Sequence, residues 1–229
     1  MKALIVGGSG VAGQCALRAL KQFDPGAEIW ATSSKDGDVA GATHTIRNID
    51  INNPGAIEKL KGFGEKLDYL FYTPAFGSVG NPVAAATRAE VQAAKAFCLD
   101  PMVVLTEAIR PKMTVAYTAY YFKPHLLAFY GALAYVKYAT EKLAVENPAQ
   151  YKCLRIGSFV SKATRGIGLL LQRMAKTAPQ VRTAAPRLTS KTRPVAASQT
   201  IRLASARWSF SYSSSTAGIA AGLRGQLEA

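Results

Sequence analysis

Short apolar runs alternate with amphipathic stretches along the first two thirds of the chain. The apolar runs stop at glycine or at small polar residues, as buried strands do. The stretches between them carry apolar residues at helical spacing, and turn residues such as Asp24-Pro25-Gly26 close them. We predict strands at Lys2–Gly7, Glu28–Thr32, Thr43–Ile49, Leu67–Thr73, Thr114–Ala119 and Lys152–Ile156. We predict helices at Gln14–Phe23, Pro54–Leu60, Val83–Ile109 with a bend at Pro101, and Leu126–Glu146.

Strands that alternate with helices are typical of parallel βαβ units. The pattern therefore predicts an α/β fold with a doubly wound parallel sheet in a single domain. We place the nucleotide-binding core of that domain at residues 1–161. Residues 162–229 are expected to supply a substrate loop, a helix and the last strand of the same domain.

Composition excludes several classes of protein. With 229 residues and 49% hydrophobic side chains, the chain can bury a core and is not of the disordered class. The longest apolar run, Leu126–Val136, is too short to span a bilayer, and Ala3–Val6 is too brief for a signal-peptide core. Three widely spaced cysteines and two histidines favour neither disulfides nor a metal site. We expect a cytoplasmic protein without a metal.

Three glycines, Gly7, Gly10 and Gly13, lie between the first predicted strand and the first helix. Glycines at this place permit a tight turn and a close approach of the backbone to a ligand. The helix N-terminus that follows offers unpaired N–H groups and the positive end of its dipole to a pyrophosphate. The turn therefore predicts a Rossmann-type dinucleotide site, although a closely packed turn alone would have the same composition.

The second predicted strand is followed by Ser33-Ser34-Lys35, and the first acidic residue, Asp36, comes only after the lysine. An NAD site usually has a carboxylate there to accept hydrogen bonds from the ribose hydroxyls. Hydroxyl groups and a lysine suit a 2′-phosphate better, so NADP(H) is favoured over NAD(H).

Several segments resemble the short-chain dehydrogenase/reductase family. The glycine turn resembles the family's GxxGxxG variant, and Asp50-Ile51 resembles the Asp-Val pair that contacts adenine. Asp68–Ala75 resembles DxLxNNAG, and Ile156–Ser161 resembles PGxxxT at the nicotinamide end. The residues thus predicted to contact the cofactor are Gly7, Gly8, Ser9, Gly10, Val11, Gly13, Ser33, Ser34, Lys35, Asp50, Ile51, Thr73, Pro74, Ala75, Ile156, Gly157 and Ser161.

The resemblance also implies catalytic residues, and here the chain departs from the family. The family uses a Tyr as acid/base, a Lys four residues later, a Ser about a dozen residues before the Tyr, and an Asn on the preceding long helix. Counted from Thr118 as the hydroxyl, the acid/base place falls on Tyr130. The lysine place then holds Ala134 and the asparagine place Cys98, so two of the four roles are changed. Lys137 would lie almost two helical turns from Tyr130 and is not expected to replace the missing ammonium.

One YxxxK motif, Tyr138 to Lys142, provides an alternative pair. Residues four apart share one face of a helix, and a nearby ammonium lowers the pKa of a phenol from about 10. If the helix runs unbroken from Leu126, however, Tyr138 lies ~12 Å beyond Tyr130 along its axis. We therefore favour Tyr130, and read Tyr138 and Lys142 as a surface pair.

The positive charge of the chain is concentrated at one end. The net charge is +14, yet residues 1–151 carry 15 basic and 13 acidic side chains, whereas residues 152–229 carry 13 basic and one acidic. The basic end suits a nucleic-acid or membrane arm, a wall that attracts an anionic substrate or NADP phosphates, or a divergent end without a charge-based role. Its basic residues are scattered singly, which does not favour nucleic acid.

These observations lead to one main hypothesis and two alternatives. The main hypothesis is an NADP(H)-dependent oxidoreductase of the short-chain dehydrogenase/reductase type that acts on a small carbonyl or alcohol substrate. The first alternative is a catalytically impaired NADP(H)-binding sensor or scaffold, and the second is a basic nucleic-acid-associated protein. By family analogy alone we expect a homo-oligomer.

Overall fold

A computed structural model describes residues 1–122 and 124–157, together with residues 165, 166, 168, 169, 172, 173 and 176. In the described part, six strands form one sheet. They are β1 Lys2–Val6, β2 Glu28–Thr32, β3 His44–Ile46, β4 Tyr69–Tyr72, β5 Met113–Ala119 and β6 Tyr151–Ile156.

The strand order is β3-β2-β1-β4-β5-β6, and every neighbouring pair is parallel. The chain runs from β1 outwards to β3, then crosses back beyond β1 to β4 and continues outwards to β6. This reversal leaves a crevice between the carboxyl ends of β1 and β4, where open α/β sheets bind ligands. The predicted Rossmann-type doubly wound sheet is confirmed.

Helices cover both faces of the sheet, so each face has its own apolar core. The helices are α1 Val11–Phe23, α2 Pro54–Lys61, α3 Arg88–Cys98, α4 Asp100–Ile109, α5 Pro124–Leu127 and α6 Leu133–Glu146, with a short 3₁₀ turn at Val83–Ala85. Helix α1 packs through Ala16, Leu17 and Leu20 on one face. The helices α2, α3, α4 and α6 pack on the other face, around Leu4, Leu70 and Leu105.

The predicted Val83–Ile109 helix is divided close to its expected bend. A capping box between Thr87 and Glu90 begins α3, and the helix ends at Cys98. Helix α4 starts at Asp100 with Pro101 in its first turn, where the missing N–H of proline costs nothing. The break therefore lies one residue before Asp100, at Leu99.

The prediction of one helix over Leu126–Glu146 is wrong. The structure has a short α5 and a separate α6 that begins at Leu133. Between them the backbone pairs with the loop after β4: the Gly80 N–H donates to Phe129 O at 2.6 Å, and the Gly131 N–H donates to Asn81 O at 3.0 Å. Gly131 has a φ of +53°, which favours glycine and interrupts a helix. Tertiary pairing thus replaces the helical hydrogen bonds that the apolar periodicity predicts.

Several predictions fall on residues outside this description. They concern Ser161 and most of residues 162–229, to which we assign a substrate loop, a helix and the last strand. The division of the chain at residue 161 is likewise untested.

Candidate dinucleotide-binding site

The glycine turn joins β1 to α1 at the crevice of the sheet. Gly7 has a φ of +79°, and a Cβ there would lie 2.7 Å from Thr73 Oγ1. A Cβ at Gly13 would overlap the carbonyl oxygen of Gly7. Both positions therefore require glycine, one for its backbone conformation and both for the close approach of other atoms. This requirement explains two of the three glycines on which the sequence prediction depended.

The N-terminus of α1 is open toward the turn. Its first helical hydrogen bond runs from the Gln14 N–H to Gly10 O at 2.8 Å, and no side chain among the described residues caps the helix. The first turn carries no acidic residue. The initial N–H groups of a helix without a cap are available to a ligand, and the helix dipole favours an anion there. Ser9, Gly10 and Val11 are exposed beside them, while Gly8 is buried.

The other wall of the crevice comes from the end of β4. The Thr73 hydroxyl donates to Val6 O at 2.8 Å and lies 3.2 Å from Gly7 O. It thereby joins the chain after β4 to the glycine turn. Pro74 is half-buried and Ala75 is exposed, so the segment Thr73–Ala75 borders the crevice without filling it.

At the end of β2 the three predicted phosphate-site residues are placed differently. Ser34 and Lys35 are exposed. Ser33 is 3% exposed, and its hydroxyl accepts the Lys35 N–H at 3.1 Å. Ser33 therefore shapes the turn, while Ser34 and Lys35 remain available to solvent. A further cation, Arg47, lies on the neighbouring β3 end and pairs with Asp38 at 2.7 Å.

Asp50 and Ile51 follow β3 on a short turn. Asp50 is exposed, and its Oδ1 accepts the backbone N–H and the side-chain amide of Asn52 at 3.0 and 2.9 Å. Ile51 is half-buried. The two residues follow the carboxyl end of β3, which is the place that the family resemblance assigns to the adenine contact.

A buried polar network occupies the ends of β5 and β6. Thr118 is 1% exposed, and its hydroxyl donates to Glu141 Oε1 at 2.8 Å. Arg155 on β6 donates to both oxygens of the same carboxylate, at 2.7 and 2.6 Å. The Tyr121 hydroxyl donates to Glu141 Oε2 at 3.1 Å. Sequence reasoning missed Glu141 and Arg155, because their elements carry other charged residues, such as Lys142 and Lys152, from which the sequence does not distinguish them.

Tyr130 lies in the turn before α6 and not on the helix itself. Burial raises its pKa to about 12, and the neighbouring Cys98 thiol contributes in the same direction. Ala134, the predicted lysine place, is fully buried on α6. Cys98, the predicted asparagine place, accepts the Phe76 N–H at 3.1 Å and donates to Phe76 O at 3.2 Å. Cys98 thus secures the loop that follows β4.

The two residues of the alternative pair, Tyr138 and Lys142, lie in different surroundings. Tyr138 is 8% exposed and packs in the core beneath α6. Lys142 is exposed, and its ammonium lies 3.9 Å from Glu146. The late start of α6 removes the assumption of an unbroken helix that disfavoured Tyr138. Its burial makes Tyr138 a core residue, so the prediction of a surface pair is wrong for Tyr138 and right only for Lys142.

Lys137 is a buried ammonium that the sequence prediction set aside. Its side chain donates to Tyr117 O at 2.8 Å, and burial lowers its pKa. Cys98 contributes to the raised pKa of Tyr130 and opposes the lowering of the Lys137 pKa. The distance between Tyr130 and Lys137 along one helix, the original reason to dismiss Lys137, does not apply because Tyr130 is not on α6.

Comparison with solved structures identifies the fold. The chain is similar to a short-chain dehydrogenase from Streptomyces avermitilis, with 18% identity, 99% of this chain and 92% of that chain covered, and a TM-score of 0.61. The chain has the fold of the short-chain dehydrogenases/reductases. The family resemblance seen in the sequence is confirmed at this level.

Two further structures show the range of proteins with this fold. The C-domain of a bacterial malonyl-CoA reductase, solved with NADP, matches at 17% identity over 76% of this chain and 34% of its own, with a TM-score of 0.56. ADP-L-glycero-D-manno-heptose-6-epimerase from Helicobacter pylori matches at 16% identity over 67% of this chain, with a TM-score of 0.50. The matched region spans 54% of the epimerase. No protein-family profile and no curated protein matches the chain.

Neither a metal-binding cluster nor a membrane span occurs among the described residues. No group of three or more His, Cys, Asp or Glu in this part of the chain could hold a metal ion. No helix there is long and apolar enough to cross a bilayer.

Proposed function

We propose that the chain binds NADP(H) and is an oxidoreductase of the short-chain dehydrogenase/reductase type that acts on a carbonyl or alcohol substrate. The observation that carries this proposal is the open N-terminus of α1 behind a turn that tolerates only glycine at Gly7 and Gly13. It lies at the crevice where the strand order reverses. Such a turn accommodates a pyrophosphate through backbone N–H groups alone.

The preference for NADP(H) is supported by the end of β2. Ser34 and Lys35 are exposed at the place where an NAD site carries a carboxylate. Arg47 adds a second positive charge nearby, although Asp38 pairs with it. The exposed Lys35 is therefore the residue that we assign to the 2′-phosphate.

The nicotinamide ring of the bound cofactor would supply or accept the hydride. The proton is assigned to Tyr130. A phenol is protonated at neutral pH even at its ordinary pKa near 10, and burial raises the pKa of Tyr130 further, to about 12. A protonated phenol suits the reductive direction, in which the alkoxide that forms from a carbonyl needs a proton. Thr118 is the proposed hydroxyl at the substrate oxygen.

One observation favours the second candidate, a dinucleotide-binding sensor that has lost catalysis. The Thr118 hydroxyl proton points to the Glu141 carboxylate, so it is not available to a substrate carbonyl in this arrangement. The lysine place holds Ala134, and Lys142 pairs with Glu146 instead. A protein with this site would bind the cofactor without turning it over.

Two measurements on the full chain separate the candidates. NADPH and NADH binding are measured by fluorescence, and NADPH consumption is then followed against a panel of ketones and aldehydes. The proposal expects binding, a preference for NADPH, and turnover that Tyr130→Phe abolishes and Tyr138→Phe retains. Tight binding without turnover on the whole panel supports the sensor. Loss of activity only in Tyr138→Phe refutes the assignment of Tyr130, and absence of any dinucleotide binding refutes both candidates.

A further inference from the structure

Glu141 is the centre of the buried polar network, and its partners come from three different segments. Its two oxygens accept four hydrogen bonds: one from Thr118, two from Arg155 and one from Tyr121. The carboxylate is 6% exposed. A buried carboxylate with this number of donors has all its hydrogen bonds. Loss of any donor leaves one oxygen short of a hydrogen bond and destabilises the folded state.

The network lies at the edge of the sheet that faces the proposed cofactor. Thr118 and Arg155 are opposite each other in the β5–β6 register, and each stands one residue before the end of its strand. Ile156 and Gly157, two residues predicted to contact the nicotinamide end, follow Arg155 directly. Glu141 on α6 therefore connects the helix to the ends of both strands.

The network fixes the geometry of the groups that it joins more than it adds to the stability of the fold. A buried ion pair often adds no stability over apolar packing of equal volume, because desolvation offsets the attraction between the charges. A bidentate Arg–carboxylate pair does fix geometry, since two parallel hydrogen bonds define the orientation of both groups. Phe122 packs under the guanidinium, 5.2 Å from the ring centroid to Arg155 Cζ, and restricts it further.

We propose that Glu141 and Arg155 are positioning residues for the nicotinamide end of the dinucleotide site. The pair directs the Thr118 hydroxyl and sets the position of Ile156 and Gly157, whereas the glycine turn binds the pyrophosphate independently. This inference rests on the proposed function. It assigns a role to two charged residues that the family resemblance in the sequence did not include.

The test compares a whole cofactor with its adenine half. The dissociation constants of NADPH, 2′,5′-ADP and 5′-ADP are measured by calorimetry for the full chain, for Glu141→Gln and for Arg155→Lys. Glu146→Gln is the control, because Glu146 is exposed on the same helix. We expect Glu141→Gln to weaken NADPH binding about fivefold or more, which is the size of one ordinary hydrogen bond, while the affinity for 2′,5′-ADP changes less than about twofold.

The possible results distinguish a positioning role of Glu141 and Arg155 from a purely structural role. If Glu141→Gln weakens NADPH and 2′,5′-ADP by the same factor, the pair has only a structural role. If neither affinity changes, the inference is wrong. Should Glu141→Gln fail to fold, the milder Arg155→Lys carries the same comparison, and equal losses for both ligands again overturn the inference. If the wild-type chain binds neither 2′,5′-ADP nor 5′-ADP, the proposed function itself fails, and the inference with it.

Discussion

The two halves of the candidate site are built from different materials. At the glycine turn the chemistry is supplied by backbone N–H groups and by the absence of side chains at Gly7 and Gly13. At the ends of β5 and β6 it is supplied by side chains, and these are paired with one another through Glu141. A backbone site is complete once the fold forms. A side-chain site depends on which partner each group has. In this chain the groups at the ends of β5 and β6 have one another as partners.

The largest expected effect comes from filling the glycine turn. Gly13→Val places side-chain atoms against the carbonyl oxygen of Gly7, a backbone atom that cannot rotate away. We expect dinucleotide binding to be lost and the free energy of unfolding to fall by about 3 kcal/mol or more. Calorimetry with NADPH and urea unfolding measure the two effects. Gly37→Ala is the matched control, because a Cβ at Gly37 has no atom within 4 Å.

The second test removes Glu141, the shared acceptor of the side-chain network at the ends of β5 and β6. Glu141→Leu leaves Arg155 and Thr118 without their shared acceptor, and we expect the free energy of unfolding to fall by about 2 kcal/mol. This lies below the usual range for a buried pair because the Arg155 side chain is 34% exposed. The double variant Glu141→Leu/Arg155→Leu should recover part of the loss. If Glu141→Leu alone were as stable as the wild type in urea unfolding, Glu141 would not hold Arg155 and Thr118 in place.

The third test uses alkaline pH. Burial raises the pKa of Tyr130 to about 12 and raises the pKa of Tyr72 and Tyr117 as well. In the unfolded chain the phenols ionise near 10, so above pH 10 the unfolded state binds fewer protons than the folded state. Stability is therefore complete below pH 10 and falls as pH rises toward 12, by about 1–2 kcal/mol from Tyr130.

Unfolding by urea at a series of pH values measures that slope, and absorbance at 295 nm follows phenol ionisation. Tyr130→Phe should reduce the slope, whereas Tyr120→Phe, with its 41% exposed ring, serves as the control. An unchanged slope in Tyr130→Phe would show that this phenol titrates as an exposed one.

The smallest effect is expected at the alternative pair. Lys142→Ala removes a solvent-exposed i,i+4 contact with Glu146 and should cost about 0.3–0.5 kcal/mol of stability. We expect NADPH binding and any turnover to stay unchanged. A loss of turnover greater than about tenfold with unchanged stability would instead make Tyr138 and Lys142 the catalytic pair.

Prediction from the sequence succeeds where a local pattern decides the structure. The apolar runs mark all six strands of the described sheet, and the glycine spacing places the turn between β1 and α1. Prediction fails where a distant segment takes the backbone hydrogen bonds that the local pattern assigns to a helix. The apolar stretch from Leu126 has helical periodicity, yet the loop at Gly80 and Asn81 takes the hydrogen bonds that a helix would need.

The candidate catalytic residues show the same limit. The distances that disfavoured Tyr138 and Lys137 assumed a single helix from Leu126, and that helix begins only at Leu133. The role of Glu141 could not be derived from spacing, because its donors lie on two strands and a turn. Both Glu141 and Arg155 have charged neighbours in their own elements, so the sequence carries no signal that singles them out as partners.

The sequence by itself determined the strand–helix alternation, the place of the glycine turn and the concentration of charge after residue 151. These follow from local periodicity, backbone sterics and composition, which need no knowledge of distant contacts. Only the tertiary structure decided which side chains meet at the ends of β5 and β6, and that Thr118 donates its proton to Glu141. The physical reason is that a hydrogen bond between residues 23 positions apart exists only after the sheet and α6 have packed together.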